Sequence, residues 1–81
     1  MPKKSVHQDE HAVLVELLRE MRQASGITQV ALAEALGRSQ SHISDIESGT
    51  RRLDLIQLRD YCAACGDQLI AFVKRFEARL H

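Results

Sequence analysis

Eighty-one residues leave room for a single hydrophobic core, since a chain this short buries only about 60 to 65% of its unfolded surface. A hydrophobic fraction of 44% against 27% charged residues is that of a folding globular chain and excludes wholesale disorder. Eleven Lys and Arg balance eleven Asp and Glu, so composition by itself announces no polyanionic partner.

Helical periodicity runs nearly end to end, without the sustained alternation of a half-buried strand, and an all-α fold is expected. Residues 1–8 are expected to form a flexible polar tail and 9–81 a single domain. In the first helix, from about Asp9 to Ser25, Leu14, Leu17, Leu18 and Met21 form the apolar face, and Gly26 stops it. Thr28 is the cap of a second helix, Gln29 to Leu36, expected to bury Val30, Leu32, Ala33 and Leu36 and to end at Gly37. Ser39 caps a third, Gln40 to Ser48, with Ile43 and Ile46 inward and Gly49 as its stop. Two helices of about two turns joined by so short a turn must cross steeply. Asp54 and Gln57 have the spacing of a capping box for a fourth helix, Leu55 to Cys65, ended by Gly66. Asp67 is expected to cap a fifth, Gln68 to about Leu80, striped by Leu69, Phe72, Val73, Phe76 and Leu80.

The third helix carries a chemical signal. With Ile43 and Ile46 committed to the core, Gln40, Ser41, Ser44 and Asp45 form an outward row of short side chains with hydrogen-bonding ends. An α-helix fits the DNA major groove, where such side chains reach base edges.

The run Ile27-Thr28-Gln29-Val30-Ala31-Leu32-Ala33-Glu34-Ala35-Leu36-Gly37-Arg38-Ser39-Gln40-Ser41-His42-Ile43-Ser44-Asp45-Ile46-Glu47-Ser48-Gly49 resembles the helix-turn-helix of the phage repressor and Cro-like regulators, the xenobiotic-response-element family. The likeness extends over roughly Leu17 to Gly66. It implies a five-helix, lambda-repressor-like DNA-binding domain with the motif at about 28–47, on helices 2 and 3. By this resemblance Gln40 and Ser41 stand at base-reading positions, and a Gln can pair bidentately with adenine. Ser44 and Asp45 follow one turn on, Asp45 either accepting from cytosine N4 or simply facing solvent. Gln29 resembles the family's phosphate clamp at a helix N-terminus. Arg38, Ser39, Arg51 and Arg52 would complete the phosphate contacts, while His42 either touches a phosphate or caps its helix. Arg22 and Glu47 occupy positions where the family often places an ion pair; the alternative is two exposed charges worth about 0 to 1 kcal/mol.

Other signals lead less far. Cys62-Ala63-Ala64-Cys65 has redox or half-zinc spacing but lacks a second ligand pair, so core packing is expected. His7 and His11, four apart, could chelate a metal but lack the glutamate of a zinc-protease helix. No nucleophile, base and orienter group together and no phosphate-binding Gly-rich loop occurs, so neither enzyme activity nor a cofactor, metal or small-molecule ligand is expected. The N-terminus lacks the apolar run of a signal segment, and no stretch approaches the roughly 18 apolar residues of a membrane span, which points to a reducing cytoplasm.

The last helix holds more apolar surface than one small core needs. Leu69, Ile70, Phe72, Val73, Phe76 and Leu80 are candidates for a homodimer interface, with intramolecular packing as the alternative. Two recognition helices about 34 Å apart would read an inverted repeat. The function expected is therefore a transcriptional regulator, most simply a repressor; an antitoxin that autoregulates through the same module, or a protein-interaction adaptor without DNA binding, are the alternatives.

Overall fold

The computed structural model describes the backbone of residues 6–80 and the side chains of residues 10–80. Five helices follow one another: α1 (Val6–Ala24), α2 (Gln29–Leu36), α3 (Gln40–Ser48), α4 (Leu55–Ala64) and α5 (Leu69–Leu80). The fold is all-α, with no strand among the described residues.

Most helix ends are set by local chemistry. The Thr28 hydroxyl accepts the Ala31 N–H at 3.1 Å, and Ser39 does the same for His42 at 3.1 Å. Asp54 and Gln57 complete a reciprocal box: the Asp54 carboxylate accepts the Gln57 N–H at 2.8 Å, and the Gln57 amide oxygen accepts the Asp54 N–H at 2.9 Å. Gly37 and Gly49 stop α2 and α3 at φ of 65° and 86°, left-handed backbone that a side chain would strain.

Three boundaries differ from the sequence reading. Helix α1 starts at Val6 instead of Asp9, because polar residues that form helix well carry no stop signal ahead of the apolar stripe. The first five residues of the expected tail, and the side chain of His7 with its proposed pairing to His11, lie outside the described residues. Helix α4 ends at Ala64, leaving Cys65 as its C-cap. Helix α5 begins at Leu69, so Asp67 sits one residue before the cap position; its carboxylate accepts the Gln68 N–H and the Arg75 guanidinium, each at 2.7 Å.

The core draws on every helix: Leu17, Leu18 and Met21 from α1, Leu32 and Ala33 from α2, Ile43 and Ile46 from α3, Tyr61 and Cys62 from α4 with Cys65 at its cap, and Phe72 from α5. Each fully buried aliphatic side chain contributes about 1.5–3 kcal/mol of transfer free energy. Helix α1 packs on α3 and α5, α2 on α3 and α4, and α4 on α5. Arg79 fastens the far end of α5 to α1 through Glu16 and Glu20 at 3.0–3.1 Å.

Two burial expectations are corrected. Val30 is 48% exposed, because two residues of helix are a turn of about 200° and place it opposite Leu32. Phe72 is 1% exposed and belongs to the core of its own chain, so it is not available to a partner. Ile70, at 69%, and Val73 are the exposed apolar residues of α5, while Leu69, Phe76 and Leu80 are half-buried.

Candidate nucleic-acid interface

The geometry is organised by one buried carboxylate. Glu47, in the last turn of α3, is 3% exposed, and an isolated charge there would be costly. Four donors meet it. Arg22 Nε reaches Oε2 at 2.7 Å and Arg22 Nη2 reaches Oε1 at 3.0 Å, a bidentate pair joining α1 to α3. Gln29 Nε2 donates to Oε1 at 3.1 Å from the start of α2, and the Tyr61 hydroxyl donates to Oε2 from α4. Arg22 also closes the α1–α2 turn by donating to the Ile27 carbonyl at 2.8 Å.

The electrostatics follow. Burial alone would raise the carboxyl of Glu47, but the hydrogen bonds from Arg22, Tyr61 and Gln29 outweigh it and hold the group below its ordinary 4.5. Arg22 is raised chiefly by its bond to Glu47, and Tyr61 is raised far above 10 by burial and by donating to a carboxylate. The cluster stays ionic, and four helices are tied at one point.

Helix α3 is thereby held rigidly with its other face outward. Gln40, Ser41 and Ser44 are exposed and Asp45 is half-buried. No hydrogen bond within the described residues uses the side chains of Gln40, Ser44 or Asp45, and the Ser41 hydroxyl meets only that of Ser39, at 3.1 Å. Arg38, Arg51 and Arg52 are exposed at the two ends of this helix, without carboxylate partners among the described residues. His42 lines a small cavity of about 60 Å³ with Arg38 and Asp60. Its imidazole is held below 6.5 by burial first and then by Arg51 and Arg38. Ser39 spends its hydroxyl on the cap, and Gln29 lends one amide hydrogen to Glu47, keeping the other.

Residues 13–68 match the family model of a helix-turn-helix domain. Over 91% of this chain and 90% of the other, the structure is similar to that of an XRE-family like protein from Pseudomonas syringae pv. tomato, at 42% identity and a TM-score of 0.86. The chain belongs to the XRE family of helix-turn-helix DNA-binding proteins. Two further likenesses concern the fold of this XRE-family domain. The clp gene regulator ClgR of Corynebacterium glutamicum is 24% identical with a TM-score of 0.79, covering 98% of this chain and 80% of that one. The restriction-modification controller protein C.Esp1396I, solved as a tetramer on its natural 35 base-pair operator, is 19% identical with a TM-score of 0.80, covering 95% and 97%. No curated protein matches the sequence.

Family and fold are those of DNA-binding regulators. Cys62 and Cys65 of this XRE-family chain are both buried and free, and burial pushes the Cys62 thiol up to about 11. No cluster of three His, Cys, Asp or Glu suited to a metal occurs among the described residues, and none of the described helices is long and apolar enough to cross a membrane. Sequence reasoning missed Tyr61 and the inward bond of Gln29. The signal available was a tyrosine on an apolar helix face, whose hydroxyl must find a partner once buried.

Proposed function

We propose that the protein is a sequence-specific transcriptional regulator, a cytoplasmic repressor that occupies an inverted-repeat operator as a homodimer. The observation that carries this reading is the outward row of α3: four polar side chains, almost wholly uncommitted, on a helix whose base is fixed by Glu47. Gln40 and Ser41 enter the major groove first, Gln40 pairing with an adenine edge, and Ser44 and Asp45 meet the next base pairs. Gln29, Arg38, Ser39, His42, Arg51 and Arg52 surround them as phosphate contacts that set orientation. Glu47 gives Gln29 a fixed direction, leaving its free amide hydrogen beside the N-terminal N–H groups of α2.

The dimer surface is revised from the whole stripe of α5 to its exposed part. Ile70 and Val73 are exposed on α5 and Ile56, 64% exposed, on α4, and a groove lined by Arg59, Ala63, Asp67, Gln68, Leu69 and Ile70 joins the two helices. A two-fold axis through this face would hold two copies of α3 for successive major grooves about 34 Å apart.

Selection of bound duplexes from a random pool tests the reading. An enriched inverted repeat is expected, on which Gln40→Ala costs about 1–3 kcal/mol while leaving random duplex untouched, whereas Arg51→Ala weakens both alike. A pool that enriches no sequence, with no binding to random duplex at about 50 mM salt, would favour a protein-interaction adaptor.

A further inference from the structure

The direction of the Gln29 side chain is set from inside the protein. Glu47 accepts two donors at each oxygen: Arg22 Nη2 at 3.0 Å and Gln29 Nε2 at 3.1 Å at Oε1, Arg22 Nε at 2.7 Å and the Tyr61 hydroxyl at Oε2. An ionised carboxylate can only accept, so Gln29 must turn its nitrogen to Glu47 and its carbonyl oxygen away. Of the two hydrogens on Nε2, one is spent on Glu47 and one is left. Where that second hydrogen points therefore depends on where Oε1 sits.

Three of the four bonds on Glu47 come from one segment. Arg22 closes α1 and, through Nη1, grips the Ile27 carbonyl at 2.8 Å, two residues before Gln29. Arg22 and Gln29 thus belong to the same α1–α2 turn and can shift together with the carboxylate they hold. The fourth donor is independent of that turn. Tyr61 lies on α4, is 1% exposed, and has its ring locked in the core. Burial and the bond to a carboxylate raise its hydroxyl far above the ordinary value, so it remains a donor throughout the neutral range.

We propose that Tyr61 is a positioning residue for DNA binding: through Glu47 it aims the Gln29 amide at a backbone phosphate, without touching DNA itself. This rests on the reading that Gln29 is a phosphate contact. The relay runs over two hydrogen bonds, from α4 to α3 to α2. Because Glu47 stands in the last turn of α3, it also holds the phosphate contact of α2 in one frame with the outward row of Gln40, Ser41 and Ser44. A contact held by a supporting shell loses strength when that shell loosens, even if the contacting group is kept.

A double-mutant cycle tests the relay, by fluorescence anisotropy of the full chain on the selected operator and on a random 30-base-pair duplex. Losing a hydrogen bond to a charged acceptor costs about ten- to 100-fold, the loss expected for Gln29→Ala on both DNAs. Tyr61→Phe keeps the ring and removes the hydroxyl, and should weaken both DNAs about three- to tenfold, a fraction of that loss. In the Gln29→Ala background Tyr61→Phe should cost less than about twofold further, whereas in the Arg51→Ala background its loss is undiminished. Thermal melts accompany each variant, and binding is read well below the lowest midpoint. The parent chain gives a second measurement: in 15N NMR without DNA, one Nε2 hydrogen of Gln29 should exchange more slowly than those of the exposed Gln40. Exchange as fast as at Gln40 overturns the relay. A Tyr61→Phe loss that persists in full in the Gln29→Ala background assigns Tyr61 to general support of the fold and overturns it too. So does a folded Tyr61→Phe chain that binds like the parent while Gln29→Ala is weakened. If Gln29→Ala changes neither DNA while Arg51→Ala weakens both, the phosphate reading of Gln29 falls with the relay and the DNA-binding reading stands.

Discussion

The Tyr61 hydroxyl of α4 donates a hydrogen bond to the Glu47 carboxylate of α3, and both residues are buried. Among the described residues Glu47 is thus the place where α1, α2, α3 and α4 meet through polar atoms. Tyr61→Phe should cost about 1–3 kcal/mol, because a buried carboxylate loses a donor without replacement. Arg22→Ala should cost about 3–5 kcal/mol, since it leaves Glu47 with only neutral donors in the interior. For a domain of this size the second figure is a large part of the total stability. Urea unfolding followed by circular dichroism checks both, with the midpoint moving and the slope m unchanged.

The same cluster makes the fold sensitive to acid. In the folded state Glu47 titrates below its ordinary 4.5, so the unfolded chain takes up its proton first. The contribution is fully present above about pH 4.5 and is lost as pH falls through the folded value. Stability measured between pH 3 and 7 should therefore decline below about 4.5. Glu47→Gln should be less stable at neutral pH and should flatten that decline. Some acid sensitivity will persist, because Asp67 is lowered by its bonds to Gln68 and Arg75. An equally steep decline in the variant would remove Glu47 as its source.

What was legible in the sequence was what acts over three or four residues. Thr28, Ser39, and Asp54 with Gln57 carry their caps within one turn, and Gly37 and Gly49 carry the left-handed stops, so the bounds of α2 and α3 could be read directly. Residues that meet across the fold were harder. Tyr61 and Glu47 are fourteen apart, and nothing local to either distinguishes a buried pair from an exposed one. The face of Val30, opposite Leu32, was already implied by the 100° step of a helix, whereas the place of Phe72 was not: periodicity locates an apolar stripe, but the neighbours in space decide which residues of the stripe face inward. The outward row of α3 was legible by elimination, once Ile43 and Ile46 were assigned to the core.

Burial separates two neighbours on α5 by role. Ile70→Glu places a charge on an exposed residue and should leave the monomer folded while dissociating the proposed dimer. Phe72→Ala empties a core site and should cost about 3–5 kcal/mol whatever the oligomeric state. Sedimentation equilibrium at tens of micromolar, paired with thermal melts, distinguishes the two effects. A monomeric parent chain, or an Ile70→Glu variant that sediments as the parent does, would remove this face as the dimer surface.

The thiols should be inert in the folded chain. Burial raises Cys62 to about 11 from an ordinary 9.0, which lowers its thiolate fraction about 100-fold before steric protection is counted. Cys65 is raised by burial too, against the opposing influence of Ser25 and Arg22. Alkylation by iodoacetamide at pH 8 should be slow in buffer and rapid for both cysteines in urea. Fast labelling of one thiol in the native chain would revive a redox role for the Cys-x-x-Cys segment.

His42 gives DNA binding a predicted pH dependence. Its folded value lies below 6.5 through burial and then the fields of Arg51 and Arg38, so the imidazole is neutral at pH 7 in the free protein. The sign for stability follows: the contribution is present above pH 6.5 and is lost as pH falls, because the unfolded chain accepts the proton more readily. A DNA phosphate at this end of α3 reverses the field by screening both arginines and pairing with the imidazolium. Binding should therefore draw in a proton, and affinity should be higher at pH 6 than at pH 8, by at most about tenfold per pH unit for each protomer. His42→Gln should abolish that component while leaving Gln40-dependent specificity in place. An affinity that is flat from pH 6 to 8 in the parent chain would place His42 away from the phosphates and make it a helix-cap residue only.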